Sequence, residues 1–322
     1  MKKFEEEYEK YREKIDQELL QIKVPEELAY FRESLLYPLK GKGKRIRPVL
    51  VILSGTSLGV ELNQVLPAAV AIEILHTFTL VHDDIMDGDE KRRGLPTVHK
   101  KWNVNTGILS GDGLLSISFA KLVEKGYNNT VEITKHFNDT LLKICEGQKR
   151  DINFEDRTDI TTEEYLEMVG LKTGELLGLS CSLGAMIAQV EESIVNSLYK
   201  FGKTLGQAFQ IQDDLLELES SEDKMGKSLG SDFAGKKKTY PLVKMLGSVS
   251  EEEKKKILTF LTKNSYNRVD ILEKFKEYNV IEEGEKLVRR LMDESLNYLT
   301  KCPRETEEKM KKIVTKISER DH

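Results

Sequence analysis

The sequence predicts an all-α protein, and three observations predict it. Only seven prolines occur in 322 residues, and none lies between Pro96 and Pro241. A run of that length without a helix breaker favours long helices. Apolar residues recur with a 3.6-residue period, while the strict alternation of a strand is rare. Small residues (Gly, Ala, Ser) stand at packing positions along these segments, so a large bundle of closely approaching helices is expected.

The elements follow in order. The first twenty residues read as a charged amphipathic helix whose exposed-face charges are explained by solvation. Periodic segments then cover residues 65–85, 108–125, 131–145, 165–187 and 194–218. Gly41, Gly43, Gly88, Gly94, Gly226, Gly230 and Gly235 mark loops between helices. Gly170, Gly174 and Gly178 fall four residues apart inside a helical pattern. Glycine costs stability there, so a kink or a close approach is expected. Beyond residue 248 the chain turns charged and amphipathic, and shorter surface helices are expected on the same body. No Ser-, Pro- or Gly-rich linker divides the chain, so residues 1–322 are read as a single domain.

Composition excludes several classes. Charged residues make up 33% and the net charge is -5, which suits a soluble surface and lacks the basic excess of a nucleic-acid partner. Cys145, Cys181 and Cys302 are far apart and not in CxxC spacing. Neither a disulfide framework nor a zinc site is expected, and a reducing cytoplasmic setting follows. Glu5, Glu6, Glu7 and Glu9 follow Lys2 and Lys3 at once, so no signal peptide is expected. The longest apolar stretch, residues 68–81, contains Glu73 and His76. It reads as too short and too polar for a transmembrane segment.

Asp83, Asp84 and Asp87 close a very apolar segment. Asp83 and Asp87 are spaced i, i+4 and share one helix face. Like charges at that spacing destabilise an isolated helix. The cluster therefore asks for a cation, and oxygen ligands favour magnesium, usually shared with phosphate. The device recurs at Asp213, Asp214 and Glu217, after the apolar Ala208, Phe209 and Ile211. One such cluster is ordinary at a solvated helix end. Two in matching contexts could face each other across a bundle.

Metal-bound diphosphate also needs cationic donors. Lys44, Arg45 and Arg47 follow Gly41 and Gly43, and Arg92 and Arg93 follow the first acid cluster. Lys172 and Thr173 sit at the glycine-spaced kink. Lys227 follows Gly226, and Lys236, Lys237 and Lys238 precede Thr239. Each group alone is an ordinary solvated one; together with the acids they describe a site for two diphosphates. One diphosphate must leave as an anion and needs a Lewis acid. The other must be kept from the metal, so Lys and Arg should hold it alone. His76 lies seven residues before Asp83, two turns away on about the same face. A single histidine on an apolar helix is more often core, but this alignment favours a diphosphate contact. His82 has no such role.

At this point the residues resemble a known family. The stretch HTFTLVHDDIMDGDEKRRGLPTVH resembles the first aspartate-rich region of trans-type polyprenyl diphosphate synthases. GKGKRIRPVL, LKTGELL, FQIQDDLLELE, GKSLGSD and GKKKTYP resemble that family's other motifs, in the same order. The likeness covers residues 30–245 and the C-terminal quarter only loosely. It implies an isoprenoid-synthase bundle around a central cavity, and a homodimer. It also implies three magnesium ions gripping the diphosphate of an allylic substrate (dimethylallyl, geranyl or farnesyl diphosphate). Isopentenyl diphosphate is the implied second substrate.

By that resemblance Asp83, Asp84, Asp87 and Asp213 are metal ligands, with Asp214 and Glu217 as supporting members. Glu217 stands where the family's second motif usually ends in aspartate. Arg92, Lys172, Thr173, Gln210, Lys227 and Lys237 would contact the allylic substrate. Lys44, Arg47, His76 and Arg93 would hold isopentenyl diphosphate. Whether Lys237 or Lys238 reaches the site stays open by one register. Asp83, Asp84, Asp87, Asp213, Lys172 and Lys237 form the implied catalytic set.

The implied reaction ionises the allylic C–O bond, adds the isopentenyl double bond to the cation and loses a proton. Water must be excluded, and an apolar tunnel would receive the growing tail. In the family a bulky residue five positions before the first aspartate closes that tunnel. Here it is Phe78, followed by the small Thr79. Ideal helix geometry puts Thr79 near the Asp83 face but Phe78 about 140° away. The stopper role therefore rests on resemblance, and ordinary core is the other reading. The Phe-Thr pair, with the short spacer of the first motif, is most similar to geranylgeranyl diphosphate synthases. A twenty-carbon product is expected, with farnesyl diphosphate as the alternative. A terpene cyclase would share the fold but not need Lys44, Arg47 and Arg93. A non-catalytic helical subunit would need neither set complete.

Overall fold

The computed structural model describes residues 2–41, 43–219, 237–262 and 268–318. These residues are almost wholly helical, as the proline spacing and the periodicity predict. Strand among them is confined to one antiparallel pair, β1 (Lys91–Arg92) and β2 (Leu95–Pro96). The chain forms two compact units.

The first unit is drawn from Met1–Asn138, Leu179–Tyr199 and Leu299–Ile317. Its α1 (Lys2–Leu20) buries Phe4, Tyr8, Tyr11, Ile15 and Leu19. Steps of three and four residues place that stripe on one face. The outer charges are not merely solvated, as the sequence suggested. Asp16 accepts from Arg45 at 2.8 Å, and Glu7 pairs with Lys309 at 3.3 Å.

Next come α2 (Ala29–Leu36), α3 (Ile46–Thr56) and α4 (Leu62–Met86). Val49 to Leu53 on α3 and Ala68 to Ile72 on α4 are fully buried, and they form the centre of this unit. A helix apolar on nearly all sides must be covered on nearly all sides. Helix α4 is 25 residues long with a mean hydropathy of 1.6 over its most apolar window. It is long and apolar enough to cross a bilayer, which corrects the expectation that the stretch is too short. However, 72% of that window is buried inside the protein, as in a core helix. A short α5 (Val98–Lys101) leads into α6 (Val104–Val123), where the Asn103 side chain accepts from Thr106 N at 2.8 Å as an N-cap. Helix α6 packs along α4. The approach requires glycine: a Cβ on Gly111 would lie 2.1 Å from His82 Nε2. His82 thus serves helix packing.

The second unit is drawn from Asp139–Gly178, Lys200–Tyr298 and Ser318–His322. It takes part of α7 (Thr130–Phe154) and all of α8 (Thr162–Val169), which opens on a Thr161–Glu164 capping box. The predicted kink is a π-helical turn, Gly170–Gly174, followed by α9 (Glu175–Ile187) and α10 (Glu192–Glu219). Tyr165, Val169, Ala208, Ile211, Tyr240 and Leu291 share one core here. The later helices of this unit span Tyr240–Gly247, Glu251–Thr262, Arg268–Glu277 and Val280–Tyr298, while Arg304–Ser318 belongs, but for its last residue, to the first unit. Val280–Tyr298 corrects the expectation of short surface helices: it is 19 residues long and buries Val280, Leu287, Val288 and Leu291.

Candidate active site

In the first unit the C-terminal turn of α4 carries the acid cluster. Asp83 and Asp87 are half-buried, and Asp84 is buried. Arg92 Nε donates to Asp84 Oδ1 at 2.7 Å, and Arg92 Nη2 reaches Asp89 Oδ2 at 3.1 Å. Burial opposes the Arg92 charge, but the Asp84 hydrogen bond and the charges of Asp84, Asp89 and Asp83 together outweigh it, and the guanidinium pKa is raised. An expected substrate contact thus stands on an expected metal ligand. Asp89 was missed by the motif reading; its signal was the i, i+3 spacing to Arg92.

The residues beside this turn form a cationic cluster. Arg93 adopts a left-handed backbone, φ 52°, in the β1–β2 turn. Its guanidinium lies against the loop before α3, where a Cβ on Gly43 would fall 2.9 Å from Nη1. Arg47 Nη1 lies 3.3 Å from His76 Nε2. A guanidinium cannot accept, so Nε2 accepts and the ring proton is assigned to Nδ1. Burial first, then the charges of Arg47, Arg93, Arg92 and Arg45, hold the His76 pKa well below the ordinary value. The imidazole is neutral within a field of guanidinium groups. Lys44 is exposed, and its carbonyl accepts from the Tyr8 hydroxyl.

Arg45 departs from the expectation that grouped it with the diphosphate donors. It is buried with φ 53°, and it donates to Glu73 Oε1 at 2.5 Å, Asp16 Oδ1 at 2.8 Å and Gly41 O at 2.8 Å. Its charge is consumed inside the protein, where it holds the loop that presents Lys44 and Arg47. A pocket opens here, lined by Gly41, Thr77, Val81, Asp84, Arg92 and Arg93 among others. Phe78 is 7% exposed and meets the His82 ring edge-on at 4.8 Å. Thr79 Oγ1 donates to His76 O at 2.8 Å.

The second unit holds a cavity at the π turn. Asp151, Tyr165, Lys172, Thr173, Gln210, Asp214, Lys237 and Lys238 line it. A π turn widens the helix locally and is frequent at functional sites. Lys172 Nζ donates to Asp151 Oδ2 at 2.6 Å. Thr173 Oγ1 donates to Gln210 Oε1, and Gln210 Nε2 to Asp214 Oδ1, each at 3.1 Å. Asp214 Oδ2 accepts from the Tyr165 hydroxyl at 2.5 Å and from Tyr240 N at 2.8 Å. Burial pushes the Asp214 carboxyl up against the pull of these donors. Such occupancy fits the supporting part expected of Asp214 better than direct ligation.

Asp213, on the same turn of α10, is exposed. Lys237 is half-buried, whereas Lys238 is buried and donates to Glu155 O at 2.9 Å. Both line the cavity, and Lys238 is tied to the backbone. Lys227 and the Glu217 side chain lie outside the described residues. Asp151 and Tyr165 were missed by the sequence reading. Asp151 lies beyond the helix expected to end at Cys145, and nothing local distinguishes Tyr165 from core.

No three His, Cys, Asp or Glu side chains among the described residues are placed to hold an ion by themselves. Magnesium takes one or two carboxylates and completes its shell with phosphate oxygens and water. Asp83 and Asp87, oxygen donors one turn apart, fit that partial role.

Comparison with known proteins bears on the same residues. Residues 29–278 match the family model of polyprenyl synthetases. A short chain isoprenyl diphosphate synthase of Methanothermobacter thermautotrophicus is 37% identical over 285 residues, 87% of each chain. A geranylgeranyl pyrophosphate synthase of Geoglobus acetivorans is 42% identical over 254 residues, covering 75% of this chain and 78% of that one. The crystal structure of geranylgeranyl pyrophosphate synthetase from Pyrococcus horikoshii superposes with a TM-score of 0.90 at 33% identity, over 99% of both chains. With its motifs set around these cavities, the chain belongs to the polyprenyl synthetase family of prenyltransferases.

Proposed function

We propose that this prenyltransferase condenses isopentenyl diphosphate head-to-tail with dimethylallyl, geranyl and farnesyl diphosphates, and that its product is geranylgeranyl diphosphate. One observation carries the reading: Lys172 and Thr173, Gln210 and Lys237, from three separate stretches of sequence, line a single cavity at a π turn. The names of the relatives from Geoglobus acetivorans and Pyrococcus horikoshii support the twenty-carbon product.

In this reading Asp83, Asp84, Asp87 and Asp213 hold magnesium, with Asp214 and Glu217 in support. Bound magnesium, expected as three ions, supplies Lewis-acid withdrawal of charge at the leaving diphosphate. Arg92, Lys172, Thr173, Gln210, Lys227 and Lys237 bind the allylic diphosphate and keep it oriented. Lys172 and Lys237 offset the negative charge that develops on the diphosphate as the allylic C–O bond breaks. Backbone carbonyls displaced by the π turn are suited to face the allylic cation. Lys44, Arg47, His76 and Arg93 hold isopentenyl diphosphate without metal. Its double bond attacks C1 of the cation, and a proton passes from the isopentenyl unit to the departing diphosphate.

The family match runs through segments of both units, which supports reading residues 1–322 as one catalytic domain. A homodimer fits the exposed Val104, Ile108 and Leu109 on α6, an apolar face that association would cover. A cytoplasmic setting completes the reading. The test is incubation with labelled isopentenyl diphosphate, magnesium and each allylic primer, followed by product chromatography. A twenty-carbon end product from every primer supports it. A fifteen-carbon end product would make the chain a farnesyl diphosphate synthase, and no incorporation would overturn the condensation itself.

A further inference from the structure

Glu175 is fully buried and has no part in the chemistry above. It follows the π turn directly. Its Oε1 accepts from Lys203 Nζ at 2.6 Å, on α10, and its Oε2 from Lys143 Nζ at 3.1 Å, on α7. These are the two helices that press on the turn's backbone. A Cβ on Gly147 of α7 would stand 2.4 Å from Lys172 N. A Cβ on Gly206 of α10 would stand 2.7 Å from Gly174 Cα. Lys143 lies one turn before Gly147, and Lys203 three residues before Gly206. The turn is therefore gripped between two helices through glycines, and one carboxylate bonded to a lysine of each closes the grip.

The side chains of the turn depend on the same two helices. Lys172 takes Asp151 from α7, and Thr173 takes Gln210 from α10. Spreading α7 from α10 would draw both side chains off their partners. Glu175 is buried while Lys143 and Lys203 are 47% and 35% exposed in their side chains, and a buried carboxylate held by such partners is no more stabilising than a well-packed apolar group, so its value lies in fixing one arrangement. We propose that Glu175, bonded to Lys143 and Lys203, is a positioning residue that sets Lys172 and Thr173 in place for the allylic diphosphate. This assignment rests on the proposed condensation.

Glu175→Gln keeps the shape and removes the charge. Lys203→Met removes one bond from a half-exposed lysine and leaves Glu175 intact. The measurements are KM for each substrate, kcat and the melting temperature. Both variants are expected to raise KM for the allylic diphosphate about tenfold and to leave KM for isopentenyl diphosphate within about twofold. The double variant should lose no more than the worse single one, because the groups act as a unit. A fall in melting temperature with both KM values unchanged would overturn the assignment, as would equal rises in both. If Glu175→Gln does not fold, the same split in Lys203→Met decides. A wild-type protein that condenses nothing sinks the proposed function; an active wild type with indifferent variants sinks only Glu175's role.

Discussion

The Lys172 ammonium lies 2.6 Å from Asp151 Oδ2, so a candidate substrate contact already has an anionic partner. The pair is mostly sheltered, with side-chain exposures of 22% and 16%. A diphosphate must therefore share or replace Asp151 at the lysine. A hydrogen bond to a charged group contributes about 1.5–3 kcal/mol. Lys172→Met should accordingly lower kcat/KM for the allylic substrate by about 10–100-fold, with KM for isopentenyl diphosphate unchanged. Asp151→Asn still orients the ammonium and should cost less than about tenfold. Steady-state kinetics with each substrate varied checks both. Equal losses in the two variants would make the pair a structural unit only.

Arg45 and Glu73 are each 3% exposed in their side chains. Removing Glu73 leaves the buried guanidinium with the 38% exposed Asp16 as its remaining carboxylate partner. Glu73→Ala should destabilise the fold by about 3–5 kcal/mol. Replacing the pair together, Arg45→Met with Glu73→Leu, should recover most of that loss. Asp16, the third partner, is 38% exposed, and Asp16→Asn should cost under about 1 kcal/mol. Urea unfolding of the three variants checks the order.

His76 gives a pH dependence with a definite sign. Its folded pKa lies well below 6.5, the unfolded value. Below pH 6.5 the unfolded chain takes up a proton that the folded ring refuses. Stability therefore falls as pH drops from 6.5 toward the folded value, by at most about 1.4 kcal/mol per pH unit from this residue. His76→Gln should flatten the stability profile over that window. Unfolding curves between pH 7.5 and 5.5, compared with wild type, check it; identical slopes would mean that the ring titrates normally in the fold.

Long elements were legible because their patterns are local. The period of 3.6 located α4, α6, α7 and α10 to within a few residues except at the end of α7, which runs nine residues past the predicted Cys145. Polar residues in its last turns, Gln148 and Asp151 among them, concealed that extension. The spaced glycines located the turn at 170–174 but could not say that it is π-helical, which depends on how Gly147 and Gly206 meet it from other helices. Charge spacing brought out the two acid clusters. It could not say that Arg45 would turn inward to Glu73, twenty-eight residues away, while Arg47 beside it meets His76. Partner choice among neighbouring arginines is settled by tertiary burial, which no local pattern carries.

Phe78 is buried, and its ring meets His82, which is wedged against Gly111 of α6. That contact gives Phe78 a rigid backing, which a chain stopper needs and an ordinary core residue also enjoys. The two roles separate in the product. Removing the ring should open room for at least one more five-carbon unit, so Phe78→Ala should shift the product beyond twenty carbons. The cavity should also cost about 3–5 kcal/mol, so the variant is assayed well below its melting temperature. Phe78→Leu leaves a smaller void and should give a mixture of the two lengths. Product chromatography of both variants decides: a folded, active Phe78→Ala enzyme with unchanged chain length would make Phe78 a packing residue and move the stopper elsewhere.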